Sequence, residues 1–145
     1  MKRTCATTVL VSGAMAMICG RSGGADAPRQ WRVSELTFEA RQDHAQPLDV
    51  RMTATFEGPG GRRLTIDGFH DGGRTWRVRF MPSAPGAWTY RTDCPGDAGL
   101  NGRQGRLDVG PPAGQNAIDR HGGLLKVDPD RRYLTYADGT PFFWL

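Results

Sequence analysis

"LDVRMTATFEGPGGRRLTI", residues 48–66, decides how this chain folds. Leu48, Val50, Met52, Ala54 and Phe56 stand at every second place, and Asp49, Arg51, Thr53, Thr55 and Glu57 fill the places between. A period of two puts alternate side chains on opposite faces of a strand, so the first set meets a core and the second meets water. Gly58-Pro59-Gly60-Gly61 turns the chain, and Leu64 and Ile66 begin the next short strand.

The same pattern recurs downstream. Asp71-Gly72-Gly73 makes a turn, after which Trp76, Val78 and Phe80 alternate with Thr75, Arg77 and Arg79. Val50, Met52, Phe56, Trp76, Val78 and Phe80 are therefore the expected core, with Arg51, Thr53, Arg77 and Arg79 facing out. Residues 81–86 break the pattern with two prolines and a glycine, Trp88 and Tyr90 carry another strand, and Arg106 to Val109 a last one. Trp31 to Ala40 supplies the first strand, its apolar phase slipping between Val33 and Leu36 as at a bulge. No segment beyond the N-terminal region shows helical apolar spacing over three turns. Short strands at regular spacing with Gly/Pro turns predict an all-β fold, an immunoglobulin-like antiparallel β-sandwich over residues 28–110.

The flanks have different compositions. Met1-Lys2-Arg3 is a short basic start, Ala6 to Gly20 is apolar and small, and Gly23 to Ala27 offers small residues for a peptidase, with cleavage after Ala25 or Ala27. Residues 1–27 thus read as a signal peptide, too short for a membrane span, which predicts a secreted or periplasmic protein with no membrane contact beyond the export signal. Ile18 before Cys19 is too large for a good lipobox, so a lipoprotein is not expected. Cleavage after Ala25 removes Lys2, Arg3 and Arg21 from the 19 basic residues, leaving 16 against 15 acidic ones, a formal +1. A nucleic-acid partner loses its support with that charge. Cys5 and Cys19 leave as well, so Cys94 stays alone and no internal disulfide can staple the domain. Beyond a linker at 111–119, rich in Gly and Pro, residues 120–145 hold two hairpin-like pieces, 124–127 and 133–136. The bulky run Pro141-Phe142-Phe143-Trp144-Leu145 then reads as a strand buried on both sides. This region is too short to fold alone.

Each chemical motif competes with a plainer reading. In "GFHDGGRTWRVRF", residues 68–80, His70 and Asp71 are candidate glycan contacts, although Asp-Gly is foremost a hairpin turn. Trp88 and Tyr90 are candidate platforms for a sugar ring, whereas Trp76, in phase with Val78 and Phe80, belongs to the core, and a core place competes for Trp88 too. His44, His70 and His121 have no metal-ligand spacing and default to polar surface positions; neither a metal nor a cofactor is expected. Asp128-Pro-Asp130 fails as a calcium loop, because Tyr133 stands where glycine is needed. Glycoside hydrolysis needs two convergent carboxyl groups. The glutamates Glu35, Glu39 and Glu57 all lie in or beside strands, so no catalytic residue is assigned.

"FEGPGGRRLTIDGFHDGGRTWRVRFMPSAPGAWTYRT", followed by "LNGRQGRLDV", resembles the N-terminal immunoglobulin-like domain of secreted bacterial apiosidase-like glycoside hydrolases, itself a domain of unknown function. The resemblance covers residues 31–109. "GGLLKVDPDRRYLTYADGTPFFWL", residues 122–145, is similar to the beginning of the catalytic (β/α)8 barrel in those enzymes, whose first strand is buried on both faces. The resemblance implies a non-catalytic module followed by a short β stub of a missing barrel, with that barrel as partner and polysaccharide as a further one. It carries over no catalytic acid, since those sit on later barrel strands. Two alternatives from other classes are a free-standing carbohydrate- or surface-binding protein and a small hydrolase.

Overall fold

The alternating stretches become strands in the computed structural model, which describes residues 27–130 and 132–144. They are β1 (Ser34–Glu39), β2 (Thr53–Gly58), β3 (Arg62–Asp67), β4 (Phe69–His70), β5 (Thr75–Phe80), β6 (Gly86–Asp93) and β7 (Gln104–Val109). One sheet has the order β3-β2-β6-β7 and the other β1-β5-β4, and the strands pair antiparallel throughout. The described residues are all-β with almost no helix.

Register decides which side chains meet. Trp76 lies opposite Phe38 and Val78 opposite Leu36 across β5 and β1, while Phe56 lies opposite Tyr90 and Leu64 across β2 and its neighbours. The inner faces of both sheets close on one core of Met52, Ala54, Phe56, Trp76, Val78, Phe80 and Trp88. Phe56 from one sheet stacks on Phe80 from the other at 4.0 Å between ring centroids, and Trp88 meets Phe80 edge-on at 5.0 Å. Two glycines leave room for these rings. A Cβ on Gly58 would sit 2.4 Å from the Trp88 indole, and one on Gly105 would sit 2.5 Å from the Tyr90 hydroxyl. As expected, Val50, at the rim, packs against the core, whereas Arg51 and Arg79 are exposed and Arg77 and Thr53 half-exposed.

Three sequence expectations need correction. Leu48 is 97% exposed, because Pro47 starts a 3-10 turn (Pro47–Asp49) that takes it out of the alternation. Trp31 to Val33 precede β1, whose register with β5 is unbroken, so the phase slip marks the strand's start and no bulge exists. His44 is no surface residue; its side chain is 11% exposed.

The ends of 28–110 are tied together. Gly110 donates its N–H to the Pro28 carbonyl at 2.8 Å and accepts from Gln30 at 3.0 Å. A second clip closes the opposite loops. The Asp97 carboxylate, buried, accepts from the backbone N–H groups of Arg41, Gln42 and Gly99 and from the His44 ring, which carries its proton on Nε2 at 3.1 Å. Burial pushes the Asp97 carboxyl up, but Arg41, Gly99, Gln42 and His44 together outweigh it and hold it at about 2.

Beyond Gly110 the stretch expected as a linker ends in a four-residue helix, α1 (Ala117–Arg120), capped by Asn116, whose side chain accepts from Asp119 at 2.8 Å. Strands β8 (Lys126–Val127), β9 (Leu134–Thr135) and β10 (Pro141–Phe142) form an antiparallel meander. His121 stacks on Tyr136 at 4.2 Å and its Nδ1 donates to Asp138 at 2.7 Å; that bond, with one from Thr140, holds the Asp138 carboxyl at about 2. The terminal apolar run is not buried on both faces here. Only Pro141–Phe142 pairs, and Phe143 and Trp144 are 77% and 85% exposed, because no other strand of the described chain covers them. The export signal expected at 1–27 lies outside the described residues except for Ala27, and no helix among the described residues is long and apolar enough to cross a membrane.

Two outcomes follow from the packing. Trp76→Ala, which removes a buried ring between the sheets, is expected to cost about 3–5 kcal/mol in urea unfolding; a loss under about 1 kcal/mol, typical of surface sites, would contradict the core assignment. Asp97→Asn is expected to cost about 2 kcal/mol at neutral pH, where the carboxylate accepts its full set of bonds. A folded value of about 2 lies below the ordinary aspartate value, so this contribution is complete above about pH 4 and is lost as pH falls toward 2. The stability gap between wild type and variant should therefore close across that window.

Candidate functional site

The outer face of the three-stranded sheet carries a network of charges. Outward positions of β1 and β5 pair Glu35 with Arg79 and Thr37 with Arg77. Arg77 bonds Glu35 and also pairs with Asp71, while Arg79 donates to Glu35 at 3.0 Å and lies 4.7 Å over the ring of Phe69. The Arg77 guanidinium, then that of Arg79, holds the Glu35 carboxyl below the usual carboxylate range against the opposing effect of partial burial. Glu39 pairs with Arg74 at 3.1 Å, and Glu57 with Arg63 at 3.8 Å on the other sheet.

This arrangement does not supply acid catalysis. A general acid must hold its proton at working pH, which calls for a raised carboxyl value. Every carboxyl here whose titration is clearly displaced, namely Glu35, Asp97 and Asp138, moves down. Each glutamate is paired with arginine on a sheet surface, so no two of them face each other across a cleft.

The four candidate glycan contacts do not converge. His70 faces the core side of β4, opposite Trp76, with their ring centroids 5.5 Å apart; its Nε2 donates to the Gly73 carbonyl at 2.8 Å and braces the turn. Asp71 is exposed and held by Arg77 on the outer face. Trp88 is 1% exposed and its Nε1 donates to the Ala84 carbonyl at 3.0 Å, which leaves no ring face for a sugar. Tyr90 points inward between Phe38 and Phe56, and burial pushes its hydroxyl up. The physical reason is the period of two: positions 88, 90 and 92 of β6 all share the inner face. Cys94 is buried, and burial pushes its thiol up, away from reactivity. The Asp128 carboxylate accepts the backbone N–H groups of Asp130, Arg132 and Tyr133, so its lone pairs are spent inside its own turn. No group of three metal-ligating side chains gathers among the described residues.

One feature escaped sequence reasoning. Trp31, with φ of 63°, is the non-glycine residue in the left-handed region among those described. For a bulky side chain this costs about 1–3 kcal/mol and persists only where neighbours impose it. Here they do. Trp31 N–H donates to the Pro82 carbonyl at 3.1 Å, Gln30 Nε2 to that of Ser83 at 2.9 Å, and Arg32 pairs with Asp119, whose side chain is buried, at 2.9 Å. The indole lines a half-open cleft of about 370 Å³ with Arg62, Arg63, Leu64, Met81, Ser83 and Leu124, and with Trp88 at its floor. Leu64 shares the inner face of its sheet with Phe56 but is 45% exposed, whereas Ile66, on the same face of β3, packs against the core. An isolated tryptophan before a strand carries no sequence signal for such a backbone, since any non-glycine residue reads as φ below zero.

Comparison with known proteins places this geometry in context. Residues 27–95 match the family described as "Domain of unknown function (DUF5060)". The chain is 36% identical to a protein from Bacteroides vulgatus ATCC 8482 whose crystal structure is described as that of "a putative glycoside hydrolase", with a TM-score of 0.67 over 82% of this chain and 22% of the other. The likeness extends past Gly110, since residues 1–110 are too few to supply that share of 145. No curated protein matches the chain. It therefore carries a domain of unknown function related to part of a protein of glycoside hydrolase type, and spans less than a quarter of that relative's length.

The charge network can be tested by titration. Carboxyl NMR of Glu35 should give a value below that of an unpaired glutamate, and Arg77→Gln should raise it toward the ordinary range. A Glu35 value unmoved by that substitution would show that the ion pair does not form in solution.

Proposed function

We propose that this chain is the non-catalytic, immunoglobulin-like β-sandwich module of a secreted carbohydrate-degrading enzyme related to the apiosidase-like glycoside hydrolases. The observation that carries the reading is the state of the carboxylates. The glutamates stand apart on sheet surfaces beside arginines, and Arg77 and Arg79 hold Glu35 ionised, which supports a reading in which the two-carboxyl machinery of glycoside hydrolysis belongs to another part of a longer protein. The share of lengths supports it, with 82% of this chain matched to only 22% of the Bacteroides vulgatus protein. Two sheets closing on one apolar core, with the chain ends joined at Pro28 and Gly110, support the sandwich assignment. Residues 120–145, with Phe143 and Trp144 exposed, are then the first segment of the neighbouring barrel, and those rings wait for strands that this module does not supply. Residues 1–27 act as the export signal.

The chain expressed without residues 1–27 should release no reducing sugar from rhamnogalacturonan, xylan or apiose-bearing glycans. Turnover above buffer that disappears in Glu35→Gln, Glu39→Gln or Glu57→Gln would overturn the module reading.

A further inference from the structure

We infer that the cleft beneath Trp31 is a subsite for an acid-bearing sugar ring, a uronate unit of a polysaccharide, an inference that rests on the module reading. The first observation is the indole. Its backbone is held in the left-handed region by bonds to two separate segments, residues 82–83 and Asp119, and strain imposed this way clusters where a side chain must be aimed. One side of the ring is closed by Gly123, where a Cβ would lie 3.4 Å from Cζ2, so the chain that follows the sandwich backs the indole. The ring also lines the cleft, where Leu64 and Leu124 continue the apolar surface. The C–H face of a pyranose stacks on such a surface because the negative face of the indole attracts its polarised hydrogens.

The second observation is charge. The cleft is lined by two arginines and no acid. Arg62 Nη1 donates to the Pro59 carbonyl at 2.9 Å, which fixes the guanidinium and leaves its other N–H groups to a ligand. Arg63 alternates to the outer face, where it meets Glu57 at 3.8 Å, so Arg62, on the same face as Leu64, carries the cationic edge of the cleft. A planar guanidinium receives a carboxylate through two parallel bonds, and the Ser83 hydroxyl adds a partner for a ring hydroxyl. The Trp31 indole, a cationic edge at Arg62 and one hydroxyl describe a site for a sugar that carries its own negative charge. The cleft volume of about 370 Å³ falls at the small end of ligand sites, which suits a short stretch of chain rather than a deep substrate pocket.

The test is calorimetric titration of the whole chain with tetragalacturonate and, in parallel, cellotetraose at low ionic strength. Tetragalacturonate should bind at least about tenfold more tightly than the neutral tetramer, the worth of one charge-assisted bond pair. Arg62→Gln, at an exposed position, should leave the fold intact and remove most of that preference. Trp31→Asn should abolish binding of both tetramers while keeping the fold, because asparagine tolerates the left-handed backbone. Equal affinity for the two tetramers, or an acidic preference untouched by Arg62→Gln, would overturn the site while leaving the module reading intact. Failure of the wild type to bind either tetramer would overturn the site as well. Sugar release by this chain would overturn the module reading, whatever the binding result.

Discussion

The contact between Phe56 and Phe80 holds this protein together. Each ring belongs to a different sheet, and their stacking at 4.0 Å fixes the separation of the two layers. Trp88 and Tyr90 then fill the space beside them, and both fit only because glycine stands across the strand, Gly58 beneath the indole and Gly105 beneath the phenol. With Cys94 free and no disulfide among the described residues, this aromatic packing must outweigh the entropy of ordering the domain, which is why the aromatic residues of β5 and β6 face inward and not toward a ligand.

Polar groups do the work at the periphery. Asp97 joins the loop after β6 to the segment after β1, and the pairing of Pro28 and Gln30 with Gly110 closes the unit where the chain leaves it. The outer sheet faces carry arginine–carboxylate pairs, Glu35 with Arg79, Glu39 with Arg74 and Glu57 with Arg63. A carboxylate held ionised by a neighbouring guanidinium cannot serve as a proton donor at neutral pH.

What distinguishes the surface is the ground beside the Leu64 end of β3. There β3 exposes Leu64, and the gap is closed only in part by Trp31, the loop before β6 and Leu124 from the tail. A cleft of this origin joins the sandwich to the segment that follows it, so a ligand or a neighbouring domain placed there would sense both. The proposed uronate subsite and the proposed barrel neighbour therefore occupy adjacent ground.

The sequence by itself determined the strands and their faces. Alternation from Val50 to Phe56 and from Trp76 to Phe80 needs only the two-residue period and an apolar core, and both stretches lie as that rule requires. β7 likewise ends at Val109, just before Gly110-Pro111-Pro112, because glycine and proline interrupt pairing wherever they cluster. Tertiary structure alone decided the rest. Leu48 kept the rhythm yet lies in water, since Pro47 turned the chain before the strand began. Periodicity leaves Trp88 open to a platform as well as the favoured core place until the fold puts Gly58 under it. Trp31 and Asp97 acquire their roles from partners more than fifty residues away, Pro82 for one and Arg41 for the other. Periodicity reports which way a side chain points, and only the pairing of distant strands settles what it meets.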